Sequence, residues 1–62
     1  MNADYTVENH GSIVLIRPTT DSARTWLVDH TDGQWFGGAL AVEPRFVADL
    51  VEGLQADGYD VA

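Results

Sequence analysis

The 62-residue sequence has no cysteine and no lysine, and its three basic residues are arginines set against ten acidic ones. Without cysteine the chain can form neither a disulfide framework nor a thiolate zinc site. A formal net charge of −7 opposes binding to nucleic acid and to anionic membranes. The same charge favours a basic protein surface as the partner.

Long hydrophobic runs are also missing. The longest, IVLI and ALAV, are far too short to span a bilayer. The segment MNADYTVEN has neither the basic region nor the apolar region of a signal peptide. We therefore expect no membrane association and a cytoplasmic location.

Apolar residues make up 45% of the chain, including two Trp, two Phe and two Tyr. This content is sufficient for one small core, so residues 1–62 are predicted to form a single acidic domain. Residues 19–31 and 44–58 have apolar side chains at helical spacing and are predicted to be helices. Thr19 or Thr20 can cap the first helix, Pro44 suits the first position of the second, and Gly58 can end it. Five short segments are predicted as strands: YTVEN, SIVLIR, QWF, ALAVE and YDVA.

This order predicts a small α+β fold, a ferredoxin-like (split βαβ) antiparallel sheet with two helices on one face. The N-terminal YTVEN segment precedes that unit and is expected to fold over the apolar side chains that SIVLIR leaves uncovered. An alternative keeps both helices but makes YTVENHGSIVLIR a hairpin and QWFGGALAVE one long strand.

The helical spacing also predicts the core and the turns. Gly37-Gly38 is interpreted as a tight turn between QWF and ALAVE, with direct ligand binding as the alternative. Gly53 inside the second helix indicates close packing against a neighbour. The residues expected to carry the core are Trp26, Leu27, Phe46, Leu50, Val51 and Leu54.

No motif indicates catalysis or a cofactor. His10 and His30 lack the spacing of a metal site, and Ser12 and Ser22 lack the context of an activated nucleophile. We therefore expect no catalytic residue, no cofactor and no metal, and a protein that is not an enzyme.

The carboxylates suggest a binding surface instead. Asp29 and Asp32 lie at the C-terminal end of the first helix, where the helix dipole disfavours negative charge. Antiparallel helices would bring Glu43 and Asp49 to the same end, with only Arg45 to offset them. The predicted partner-binding acidic patch consists of Asp29, Asp32, Glu43, Asp49 and Glu52. The alternative is that these charges only keep the protein soluble.

Three segments, NHGSIVLIRP, QWFGGALAVEPRFVADLVEGLQADG and the terminal strand, resemble a family of short acidic proteins of bacterial phages and mobile elements. Some of these are anti-CRISPR inhibitors, and the chain is similar in size and charge to inhibitors of the type I-C system. The resemblance implies a location in the bacterial host cytoplasm. It also implies binding to the DNA-recognising subunit of a type I CRISPR surveillance complex.

Together, charge and resemblance lead to one function and two alternatives. The chain would act as a DNA mimic that occupies basic DNA-binding surfaces of that complex, without binding nucleic acid itself. The first alternative is a phage or mobile-element protein-interaction module with an unrelated partner. The second is a small-ligand regulatory domain, which would need a pocket formed by a dimer. A monomer is favoured over a homodimer.

Overall fold

The computed structural model describes residues 3–62, so Met1 and Asn2 of the N-terminal segment lie outside the description. Two hairpins and two helices alternate along the chain. In order, the elements are β1 (Tyr5–Asn9), β2 (Val14–Pro18), α1 (Asp21–His30), β3 (Gln34–Phe36), β4 (Ala39–Val42) and α2 (Pro44–Ala56).

The four strands form one antiparallel sheet in the order β1-β2-β4-β3. Its register places Val7 opposite Ile16, Ile16 opposite Leu40 and Leu40 opposite Trp35. Because side chains alternate across a sheet, these residues and Tyr5 share one face. This is the face that the helices cover, since Tyr5, Ile16 and Leu40 belong to the same buried cluster as Ala23, Leu27 and Leu54.

The predicted α+β class, with an antiparallel sheet and two helices, is confirmed. The position of the N-terminal strand differs, because β1 lies edge to edge with β2 rather than folding over the sheet. The turn before β2 explains this hairpin: His10 N donates to Ile13 O at 2.9 Å, and Gly11 N donates to the Asn9 side chain at 2.9 Å. One part of the alternative fold is therefore correct.

The predicted terminal strand YDVA is reduced to a single parallel bridge between Val61 and Tyr5. In a ferredoxin-like sheet the last strand would pair with the strand that here is β2. That edge is already occupied by β1, so Val61 bonds to the outside of β1 instead. The long strand QWFGGALAVE of the alternative fold is wrong, because β3 and β4 form a hairpin.

Both helices begin and end as the sequence indicates. Thr20 caps α1, its side chain accepting from Ala23 N at 3.1 Å. Pro44 is the first residue of α2. Gly58, just after the end of that helix, has a φ of 89°, which allows the chain to turn away. The helices run antiparallel, since Ser22 at the start of α1 bonds to Tyr59 beyond the end of α2, and Trp26 further along α1 contacts Gly53.

The core is smaller than the helical stripes predict. Leu27 and Leu54 are fully buried, whereas Trp26 and Leu50 are partly buried. Val51 is also only partly buried. Phe46 is 50% exposed, so its assignment to the core is wrong. The sheet supplies what is missing, with Tyr5, Ile16 and Leu40 fully buried.

The turn between β3 and β4 is the tight turn predicted from the sequence. Gly37 and Gly38 have φ of 53° and 83°, the two positive values that a type I′ hairpin needs. A Cβ at either position would meet nothing within 4 Å, so a larger residue is opposed by backbone strain and not by a clash. Strain of this kind costs about 1–3 kcal/mol for a β-branched residue.

Gly37→Val and Gly38→Val are each expected to lower the melting temperature, as measured by circular dichroism. Gly37→Asn is the matched control, because Asn-Gly is a preferred pair in this turn type and should leave stability nearly unchanged. If both valine variants melted like wild type yet lost partner binding, the turn would be a recognition element instead.

Candidate functional site

An open groove of about 1040 Å³ is the concave feature with the most apolar lining among the described residues, Trp26, Phe46 and Leu50 included. It is bounded by the C-terminal half of α1, by β3 and β4, and by one side of α2. The side chains that turn towards it are mostly apolar or aromatic. Its lining residues include Trp26, His30, Gln34, Phe36, Leu40, Val42, Glu43, Phe46, Asp49, Leu50, Gly53 and Asp57.

The groove exists because α2 buries little of its apolar stripe. Leu54, near its C-terminal end, is its only buried residue. Towards the N-terminal end, Leu50 is partly buried and Phe46 is half-exposed. The Arg45 guanidinium lies 4.8 Å from the Phe46 ring centroid and 3.1 Å from the Glu43 carboxylate. The apolar surface at the start of α2 therefore faces solvent and does not pack against the sheet.

The α1 wall of the groove is an aromatic stack. The rings of Trp26 and His30, one helical turn apart, are nearly parallel with centroids 3.9 Å apart. The His30 Nδ1 atom lies 2.8 Å from the Trp26 carbonyl oxygen, which can only accept, so this nitrogen carries the proton. The stack fixes both rings in one orientation.

Trp26 also connects the two helices. Its indole Nε1 donates to the Asp57 carboxylate across the groove at 2.5 Å. A Cβ on Gly53 would lie 3.5 Å from the Trp26 ring, an ordinary van der Waals contact, so the indole packs directly against α2 at this position. This confirms the close packing predicted at Gly53. Asp57 was not predicted as a site residue. The one sequence signal for its contact is that the N–H of a partly buried indole needs an acceptor.

The five residues of the predicted acidic patch differ in whether they line the groove. Glu43 and Asp49 line the groove. Asp29 and Asp32 are exposed and adjoin the groove residues His30, Thr31 and Gly33 in sequence. Glu52 is exposed on α2 but is not among the residues that line the groove.

Few of the carboxylates are paired with cations. Within residues 3–62, Glu8 and Glu43 are the carboxylates that lie within 4.0 Å of an arginine side chain, those of Arg17 and Arg45. The third arginine, Arg24, lies with its guanidinium carbon 5.3 Å from the Trp35 ring centroid. The other eight acidic side chains are left without an arginine partner in the described chain, and none of them is buried.

The described residues show no grouping of side chains typical of a metal site or a catalytic site. His10 lies 3.5 Å from Glu8 at the first hairpin, and His30 stacks on Trp26. Across residues 3–62 no three side chains of the types that bind metals lie close enough to hold an ion. Ser22 bonds to the Tyr59 hydroxyl at 2.8 Å, with no histidine in that contact. The expectation that the chain is not an enzyme stays a prediction.

Neither described helix has the length and apolar character needed to cross a membrane. The chain matches no protein-family model, no curated protein and no solved structure. The resemblance to anti-CRISPR proteins therefore stays a prediction.

Proposed function

We propose that this protein is a non-enzymatic acidic inhibitor that occupies a basic, nucleic-acid-binding surface of a partner protein as a DNA mimic. The observation that supports the proposal is the excess of exposed carboxylates without an arginine partner among residues 3–62. Such charges keep a protein soluble wherever they lie on its surface. Mimicry further requires that they be held in fixed positions.

Several of the carboxylates meet this requirement. Asp29 belongs to α1, and Asp49 and Glu52 belong to α2, so their backbones are fixed by the helices. The segment that leads to Asp32 is tied down by Thr31, whose N–H and hydroxyl donate to Leu27 O at 3.0 and 2.8 Å. The charges therefore need little ordering when a partner binds, which lowers the entropic cost of association.

The chemistry of mimicry follows from the geometry of the partner's side chains. Duplex DNA presents one negative charge per ~1.7 Å of helix axis, and lysine and arginine surfaces that bind it match that density. A carboxylate can accept two parallel hydrogen bonds from a guanidinium, as a phosphate does. Inhibition would be stoichiometric, without turnover. The resemblance points to the DNA-recognising subunit of a type I CRISPR surveillance complex in a bacterial cytoplasm.

The test is a competition between the protein and target DNA for the purified surveillance complex. Reversing Asp29, Asp32, Glu43 and Asp49 together to lysine is expected to abolish inhibition, with the fold retained. Asp49→Ala alone should do little, because an exposed ion pair contributes about 0–1 kcal/mol. Inhibition by the wild-type protein should weaken as salt is raised.

Two double reversals supply the matched control. Asp29→Lys with Asp32→Lys alters the proposed surface. Asp21→Lys with Asp60→Lys changes the net charge by the same amount at the start of α1, where Ser22 bonds to Tyr59. Asp21 and Asp29 lie about 12 Å apart at 1.5 Å per residue. This exceeds the screening length of about 8 Å at physiological salt, so only the first pair should weaken inhibition. Equal losses, or DNA binding undiminished by wild type, would contradict mimicry and favour an interaction module with an unrelated partner.

A further inference from the structure

Exposed apolar side chains line the groove. Phe36 is 57% exposed and Phe46 is 50% exposed, and both line it together with Trp26 and Leu50. Val28, on α1, is 54% exposed but is not among the lining residues. An exposed apolar surface of this kind with polar edges is typical of a protein-docking site.

The edge of the groove is acidic. Glu43 and Asp49 lie towards the N-terminal end of α2, and Asp57 follows its C-terminal end. Arg45 is paired with Glu43, so it does not reverse the sign of this edge. Charges at the rim of an interface select the partner more than they add affinity. An occupant should therefore combine apolar side chains with arginine or lysine.

Charge also argues against a second copy of this chain as the occupant. Each copy has a net charge of −7, so a symmetric contact would bring identical acidic edges together. Like charges placed opposite each other across an interface are repulsive. Nucleic acid is excluded as the occupant for the same reason.

The dimensions of the groove favour a helix. The groove follows one side of α2, whose 13 residues extend over about 20 Å at 1.5 Å per residue. The edge strand β3 has three residues, too few to hold a peptide as an added strand. We infer that the groove docks an amphipathic helix of a partner protein, with its apolar face against Trp26, Phe46 and Leu50. Its arginine or lysine side chains would lie towards Glu43, Asp49 and Asp57. This goes beyond the proposed function, because it holds whether or not the partner also binds nucleic acid.

The probe is a synthetic peptide of about 14 residues, with leucine and phenylalanine at helical i, i+3, i+4 and i+7 spacing and arginine at flanking positions. We expect saturable binding with a Kd in the micromolar range, about −8 kcal/mol, measured by calorimetry and tryptophan fluorescence. A scrambled peptide of the same composition keeps the charge but loses the apolar face, and should bind at least about tenfold more weakly.

Matched variants of this protein locate the contact. Phe46→Ser should weaken binding about tenfold or more, whereas Val28→Ser removes an equally exposed side chain outside the groove and should leave the Kd unchanged. Glu43→Gln with Asp49→Asn should weaken binding more than Glu52→Gln does. Amide chemical-shift changes in the wild-type protein on addition of the peptide should map to the groove. This measurement does not depend on whether a variant folds.

Three results would overturn the inference. The first is equal affinity for the ordered and scrambled peptides, which would reduce binding to charge alone. The second is an equal loss in Val28→Ser and Phe46→Ser. The third is a dimer in sedimentation equilibrium that Phe46→Ser dissociates, which would make a second copy the occupant of the groove.

Discussion

Leu54→Ala is expected to lower the free energy of unfolding by about 2–5 kcal/mol, the range measured for fully buried leucines. Leu54 is the buried residue through which α2 joins the core cluster. Its truncation removes apolar contacts and leaves a cavity that the sheet residues Tyr5, Ile16 and Leu40 enclose. A domain of this size has a total free energy of unfolding of only about 3–9 kcal/mol, at 0.05–0.15 kcal/mol per residue. The variant should therefore lose a large part of its stability.

Leu50→Ala is the matched control, one turn earlier on the same helix. Leu50 is partly buried and lines the open groove, so its truncation leaves no enclosed cavity. We expect a cost of about 1 kcal/mol, near that of one or two methylene groups. Both free energies are measured by urea denaturation followed by circular dichroism. Equal costs for the two variants would show that α2 is packed along its whole length and that the groove is closed in solution.

Local structure was the part that the sequence could predict well. The cap at Thr20, the start of α2 at Pro44 and the turn at Gly37-Gly38 all depend on residues that are neighbours along the chain. Each of these residues has a strong conformational preference of its own. Such signals do not require knowledge of the rest of the fold.

Strand order was harder to predict. The sequence contains five apolar segments, and which edge of β2 pairs with which segment is decided by competition between distant parts of the chain. The short turn after Asn9 places β1 beside β2 and leaves only the outer edge of β1 for Val61. Periodicity describes the faces of each strand and carries no information on this order.

The groove could not be predicted for a similar reason. The stripe of α2 indicates which side of the helix faces inward, but not how far each turn of that side is from the sheet. Phe46 and Leu54 have equivalent places in the pattern, yet one is half-exposed and the other is fully buried. The contact between Asp57 and the indole of Trp26 was not predicted for the same reason, since it joins residues 31 positions apart.

The second large effect concerns alkaline pH, because burial raises the pKa of Tyr5 to about 12. The Tyr5 side chain is fully buried, and its hydroxyl donates to Ala23 O at 2.6 Å. Negative charge on Tyr59 and Asp4 contributes further to the raised pKa. The Tyr59 ring lies edge-on at a centroid distance of 5.6 Å. The folded state therefore favours the neutral phenol.

The direction of the pH dependence follows from linkage. In the unfolded chain the pKa of tyrosine is about 10, so the contribution of neutral Tyr5 to stability is fully present below that pH. It is lost as the pH rises through about 12, the pKa in the folded protein. A shift of about two units corresponds to at most about 2.7 kcal/mol. The chain has no lysine or cysteine to titrate in this window.

Tyr5→Phe isolates the effect, because it keeps the buried ring and removes the hydroxyl. At neutral pH the variant should lose about 1 kcal/mol for the missing hydrogen bond. Between about pH 10 and pH 12 wild type should lose stability more steeply than Tyr5→Phe, so that the two curves converge and then cross. Effects of rising pH that do not involve the Tyr5 hydroxyl act on both proteins and cancel in the comparison. The measurement is urea denaturation across this pH range. Parallel curves would show that Tyr5 ionises as readily in the folded state as in the unfolded one, and that the buried bond to Ala23 is not formed.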